Sequence, residues 1–351
     1  MDVRLSPEQR ALRDSAAQVV DRLGPRSVGQ LDDAERVAKL DAAVVAAGWR
    51  ELRTATDEGT PWASGVEVGI VAEELGRGLA DVAFLGPTLA AELRRLAGAP
   101  PAGEPETVLL TGDLSGPATV DAAGAAPPAG AVAVDAQGAA AALLLVDGPD
   151  GARLGRVALR PPAARVDLTR PTAAPAEAAA VDPVDGQARP LTSDDLTRWT
   201  ALGLALTSAD LVGTMAGAVR LATDYAKERR QYGQAIGSFQ AVQHMLADAH
   251  VATEGSRSAS LHASWAVDAL APDDARAAGA VAKAYCARAA RRVCETAIQV
   301  HGGIGNTWEC LAHVHLRRAL LASDVLGGVG PNLARVLAHH GIESDPGLPA
   351  S

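Results

Sequence analysis

Apolar residues recur at helical spacing through most of the chain, and the places where that spacing breaks divide it into three stretches. The first helix begins at Ser6-Pro7-Glu8-Gln9, a capping box with proline at the first helical position, and its periodicity runs through Val20. A second helix is predicted over about residues 33–47, closed by Gly48-Trp49. Ser64 with Glu67 forms another capping box, ahead of Val68, Val71, Leu75 and Leu79 on one face. A further short helix is expected over 88–96. Residues 1–102 therefore read as an all-helical domain.

From 103 to 190 the pattern changes to short apolar runs, at 108–110, 131–134, 142–146 and 156–159. They are separated by Pro, Gly and Asp clusters such as that at 147–151. Short runs between turn signals predict a small antiparallel β domain, in which alanine is a poor strand former. No Phe, Trp or Tyr occurs between Phe84 and Trp199, so this domain has no aromatic ring to lay against a flat ligand. Beyond Pro190, Thr192-Ser193-Asp194-Asp195 caps a long helical stretch that reaches about Glu228. A second stretch covers 240–270, a third 273–299, and shorter helices are expected over 311–322 and 331–340. Three long antiparallel helices need a fourth to close a core, which predicts a four-helix bundle in 191–351. The fold class is thus α+β and mostly α: a helical domain, a reduced β domain and a bundle.

Composition narrows the function. The 351 residues can bury a sizeable core, and the formal charge of -10 argues against non-specific binding to nucleic acid or to an anionic membrane. Any phosphate site must be local. Cys286, Cys294 and Cys310 are too few and too far apart for a disulfide framework or a metal site, and read as buried, reduced thiols of a cytoplasmic protein. Met1 to Leu5 leads straight into a polar helix without a signal peptide, and no apolar run is expected to reach membrane-spanning length.

One stretch has chemistry beyond packing. Arg229-Arg230-Gln231-Tyr232-Gly233-Gln234-Ala235-Ile236-Gly237-Ser238-Phe239-Gln240 joins two helices through paired arginines, glycines, aromatics and side-chain amides. That set suits an anionic, partly aromatic ligand, which points to a nucleotide cofactor. The alternative is a cationic helix end that complements the dipole.

The order of elements and these motifs resemble the acyl-CoA dehydrogenase family over nearly the whole chain. The carriers are 5–10 (Leu-Ser-Pro-Glu-Gln-Arg), Glu73-Glu74-Leu75-Gly76-Arg77, Arg229 to Gln234, Phe239-Gln240, Gln299-Val300-His301-Gly302-Gly303-Ile304-Gly305, and Leu316-Arg317-Arg318-Ala319. The resemblance implies FAD shared across a subunit interface. Arg229 would contact the pyrophosphate with Arg230 and Gln231 beside it, and Phe239 and Gln240 would line the adenosine end. Gly302 and Gly303 would admit phosphates to the backbone, with Gln299, Val300 and His301 in the same segment. Read alone, the glycine turn is a helix C-cap and His301 a packed imidazole. Arg317 would position the segment bearing the catalytic base, or else pair with Glu309.

The family chemistry is α,β-dehydrogenation of an acyl thioester, in which a glutamate removes the α-proton and the flavin takes the β-hydride. This chain departs from the pattern twice. Leu326 stands at the glutamate position, and Gly203 at the position some members use instead. Asp324 and Asp210 are the nearest fallback carboxylates. The β domain also lacks the segments that clamp the flavin ring. The resemblance therefore implies the non-base-bearing subunit of a heterotetramer. Its paralogous partner would carry the glutamate, its substrate would be an acyl-CoA such as a steroid side chain in β-oxidation, and an electron-transfer flavoprotein would accept the electrons. A self-sufficient homo-oligomer acting on an acyl-CoA or carrier-bound thioester, and a flavin-free structural homologue, are the other readings.

Overall fold

Local capping chemistry starts three helices where the sequence places them. In the computed structural model, which describes residues 4–121, 126–161 and 166–342, Ser6 and Gln9 bond reciprocally at the start of α1 (Pro7–Leu23). Met1 to Val3, part of the stretch read above as the chain's start, lie outside the described residues. Asp33 caps α2 (Ala34–Ala46), and Ser64 with Glu67 opens α3 (Gly65–Arg77). The next helix, α4 (Leu85–Ala97), begins earlier than expected. Its N-cap, Phe84, supplies no capping side chain; instead Asp135 of the middle segment accepts from the Phe84 and Gly86 N–H groups at 2.7 and 3.3 Å. A distant carboxylate thus satisfies the helix's positive end.

The middle segment is a mixed sheet rather than the expected antiparallel one. Its strands are β1 (Glu106–Leu110), β2 (Thr119–Val120), β3 (Val132–Ala133), β4 (Ala141–Val146), β5 (Arg153–Ala158) and β6 (Asp182–Pro183). Central β4 pairs antiparallel with β5 but parallel with both β1 and β2, with Val108 opposite Leu143. The connection from β1 to β4 is long enough for a crossover, and it carries β2 and β3 instead of a helix. Leu109, Ala142, Leu144 and Val157 fill a core without any aromatic side chain.

The remaining chain forms α5 (Ser193–Glu228), the two-residue strands β7 (Arg230–Gln231) and β8 (Gln234–Ala235), α6 (Gln240–Ala269), α7 (Pro272–His301), α8 (Ala312–Asp324) and α9 (Val329–His339). The three long helices pack on one another and short α8 closes the bundle, as expected of this fold class. One expectation is corrected: α5 is long and apolar enough to cross a membrane by composition. Its apolar window is 89% buried inside the protein, so that surface is spent on the core. Helix α3 lies directly on α5, where a Cβ on Gly213 would stand 1.8 Å from the Glu73 carbonyl oxygen.

Lys283 on α7 is fully buried, its amine bonded to the Ala322 carbonyl near the end of α8. Burial pushes its pKa down to about 7, against about 10.4 for an unfolded lysine. Between these values the unfolded chain holds a proton that the folded chain has released, so this group's contribution to stability improves as pH rises through the window. The stability difference between the parent and Lys283→Met should shift toward the parent by roughly 2 to 4 kcal/mol between pH 7 and 10. Urea unfolding of both proteins at several pH values measures it, and a difference independent of pH would refute the assignment.

Candidate functional site

The end of the bundle gathers the motifs that lie apart in the sequence. Helix α5 closes at Arg229, whose N–H donates to the Tyr225 carbonyl at 2.9 Å. The β7–β8 hairpin then turns at Tyr232 and Gly233, both at positive φ, and a 3-10 turn over Ile236–Ser238 delivers Phe239 to the start of α6. Helix α7 ends at the same place. Its last residue, His301, stacks on Tyr225 with ring centroids 4.4 Å apart, and its Nδ1 lies 2.7 Å from the Ala297 carbonyl oxygen. The stack ties the two helix ends together.

Of the residues singled out above, Arg229, Arg230, Gln231, Gln240, Gln299, Gly302 and Gly303 are exposed here, and Phe239 is half-buried. Neither Arg229 nor Arg230 has an ion-pair or hydrogen-bond partner for its guanidinium among the described residues. Two adjacent cations without a counter-charge favour an anionic ligand. Gly302 holds φ at +65°, and a Cβ on Gly302 or Gly303 would meet nothing within 4 Å, so the backbone there is open to approach. Val300 and His301 differ from the others: both side chains are buried, so only their backbone is available. Tyr232, 93% exposed, lies edge-on to Phe239 at 6.3 Å.

The second region is where a base would be sought. Leu326 is fully buried and sits at φ +62°, a left-handed conformation that costs a branched residue roughly 1–2 kcal/mol. Three contacts hold it there. Its N–H donates to the Leu114 carbonyl at 2.7 Å, Arg335 donates to its carbonyl at 2.6 Å, and its side chain lies on Gly203. A Cβ on Gly203 would stand 2.2 Å from Leu326 Cδ1 and 3.5 Å from Leu89 Cδ2. The two positions read as alternative seats for a carboxylate thus face each other, and leucine fills the space between them.

The fallback carboxylates have other surroundings. Asp324 is exposed at the end of α8. Asp210 is buried and accepts from Arg318 Nε and Nη2 at 3.1 and 2.6 Å. Arg170 Nη2 lies 2.9 Å from its other oxygen, an ion pair whose angle falls outside hydrogen-bond geometry. Burial alone would raise the Asp210 pKa, but the two guanidiniums outweigh it and hold the carboxylate below its ordinary range. Such a group is a weak proton acceptor. Arg170 also pairs with Asp167, and Arg318 reaches the Ala80 carbonyl and Thr169 Oγ1, both at 2.9 Å. The network leaves a cavity of only about 10 Å³. In the sequence Arg318 stands out only as a member of the Leu316-Arg317-Arg318-Ala319 motif, without its carboxylate partner, and Arg170 not at all.

Arg317 makes no ion pair with Glu309. Its guanidinium lies 5.8 Å from the Trp308 ring centroid and donates to the Val166 carbonyl at 3.3 Å, because the loop that carries Glu309 turns its tryptophan toward α8 instead. Cys286, Cys294 and Cys310 are free and buried.

Residues 201–331 match the acyl-CoA dehydrogenase C-terminal domain. The chain is 33% identical over 269 residues to acyl-CoA dehydrogenase IpdE2 of Mycobacterium tuberculosis, covering 74% of this chain and 73% of that protein. Among solved structures, a chain of the ChsE4-ChsE5 complex from Mycobacterium tuberculosis matches with a TM-score of 0.79 at 24% identity, covering 100% of both chains. A variant of the Tcur3481-Tcur3483 steroid ACAD matches with a TM-score of 0.80 at 23% identity, covering 95% of this chain and 98% of the other. At these identities the two structures bear on the fold alone.

Proposed function

The chain belongs to the acyl-CoA dehydrogenase family, and from that premise we propose that it is the subunit of an FAD-dependent acyl-CoA dehydrogenase that bears no catalytic base and completes the FAD site of a paralogous partner. The observation that carries this reading is the contact of Leu326 with Gly203, which closes both seats of the family carboxylate. Leucine cannot take a proton, and a buried apolar contact leaves no room for a substrate α-carbon beside it.

When bound, FAD supplies the hydride acceptor for oxidation of a CH–CH bond. The residues at the bundle end fit its anionic part. Arg229 and Arg230, with Gln231 beside them, would offer unpaired guanidiniums to the pyrophosphate, the open backbone of Gly302 and Gly303, with Gln299 beside it, would admit phosphate oxygens, and Phe239 with Gln240 would line the adenosine end. The β domain does not fit the flavin ring, having no aromatic side chain to lie against it. The clamp and the glutamate therefore come from the partner, in a heterotetramer of the two subunits.

The likeness to a chain of the ChsE4-ChsE5 complex, and to a steroid ACAD, supports a heteromer acting on a bulky acyl-CoA such as a steroid side chain. On this reading the complex works in the cytoplasm and passes its electrons to an electron-transfer flavoprotein. In the assembled enzyme, Leu326→Met should leave turnover within about twofold of the parent, since a volume-conserving apolar swap is tolerated and no chemistry passes through it. Steady-state kinetics of the co-purified complex tests this. A tenfold loss of turnover with intact assembly would contradict the reading that Leu326 only fills space.

A further inference from the structure

We propose that one buried water molecule bonds the helical domain, the sheet and the bundle together, held in a small chamber lined by Asp135 of the middle segment and Asp210 of α5. The chamber measures about 10 Å³, close to the least that one water needs, roughly 10–15 Å³. Its walls come from α3, the start of α4, α5 and α8, with Asp135 and Arg170 from loops of the sheet. Leu75, Val82, Leu85 and Leu206 make much of that wall apolar, and Asp135, Arg170, Asp210 and Arg318 supply its polar part.

Two carboxylate oxygens at this chamber need a donor. Asp135 is 3% exposed; its Oδ2 accepts from the Phe84 and Gly86 N–H groups, while its Oδ1 has no hydrogen-bond partner among the described residues. Asp210, also 3% exposed, takes both Arg318 bonds on Oδ1, and its Oδ2 accepts no hydrogen bond among the described residues. A buried acceptor left bare is a costly defect, and native folds rarely keep one. A space that admits one water-sized sphere leaves each wall atom almost no open surface. The near-complete burial of both oxygens therefore fits an enclosed water and nothing larger.

Water also matches the donors and acceptors here. One molecule gives a hydrogen to Asp135 Oδ1 and the other to Asp210 Oδ2, and its own oxygen accepts from Arg170. Arg170 has N–H groups to spare: it donates to Asp167 at 3.2 Å, and its Nη2 meets Asp210 Oδ2 at 2.9 Å but off-axis. About three partners is usual for a buried water. A metal cation fits less well, because the apolar wall adds no oxygen ligands and two guanidiniums stand against the same space. The water carries the charge that caps α4 on to Asp210, and through Arg318 to α8, and such a bridge is nearly as favourable as a direct bond.

This inference does not rest on the reading of the bundle end. High-resolution crystal structures of the full chain and of its Val82→Ile variant test it. The parent should show one solvent peak within hydrogen-bond distance of both Asp135 Oδ1 and Asp210 Oδ2. In Val82→Ile the added methyl group, comparable in volume to a water molecule, should fill the chamber and abolish the peak. Amide hydrogen exchange at Phe84 and Gly86 should then quicken by about tenfold or more, since the carboxylate they bond has lost its other partner, while exchange at the Arg229 amide stays as in the parent. An empty chamber in the parent, a direct contact between the two carboxylates, or a peak ringed by the short oxygen contacts of a cation would each overturn the proposal. If Val82→Ile fails to fold, the density in the parent still decides.

Discussion

Arg229→Ala is expected to strip most of the FAD from the assembled enzyme while leaving this chain as stable as before. The guanidinium makes no hydrogen bond or ion pair within its own chain among the described residues, so its loss removes no polar interaction from the fold. The backbone bond from Arg229 to Tyr225 that ends α5 persists in alanine. A forked, charge-assisted contact to phosphate contributes roughly 1.5–3 kcal/mol, or about 10- to 100-fold in affinity. Flavin absorbance per complex after gel filtration, set beside the melting temperature of each subunit, reports both effects. Full retention of FAD would show that the paired arginines serve only as a helix end.

Asp210→Ala should be the most damaging single change to stability. It would leave Arg318 and Arg170 buried, with the charge of Arg318 deprived of its carboxylate. Removing one member of a buried pair costs roughly 3–5 kcal/mol, equivalent to about 10 °C in a chain of this size. The paired change Asp210→Leu with Arg318→Met should recover much of that loss, since it removes the stranded charge together with its partner. Because the folded carboxylate titrates below its unfolded value, the stability it provides is present above about pH 4 and is lost as pH falls through the folded pKa. Thermal unfolding of the single and paired variants near neutral pH checks the expectation. Additive losses in the paired variant would show that the carboxylate and guanidinium are not coupled.

What was legible in the sequence follows the range of the interaction. The starts of α1, α3 and α5 depend on capping partners three residues apart, and the pattern shows them. The start of α4 depends on Asp135, which sequence spacing cannot connect to Phe84. The parallel pairing of β1 with β4 depends on a crossover whose register is set by packing. The same division holds at the candidate site. Arg229 to Gln240 and Gln299 to Gly303 were visible as two motifs, while their meeting rests on the stack of Tyr225 on His301. Leu326 and Gly203 were each read as the wrong residue for a base, but only the fold shows one lying on the other. The ion network joins Asp210 to Arg318 across 108 residues, and no local pattern announces it.

The account turns on whose flavin this chain touches. Its most direct test is the visible spectrum of the purified chain alone, and again after co-expression with a longer, glutamate-bearing paralogue. The prediction is no flavin in the chain alone, and in the complex one FAD for each pair of unlike subunits, bleached by acyl-CoA. Stoichiometric FAD in the isolated chain, bleached by an acyl-CoA without any partner, would contradict it.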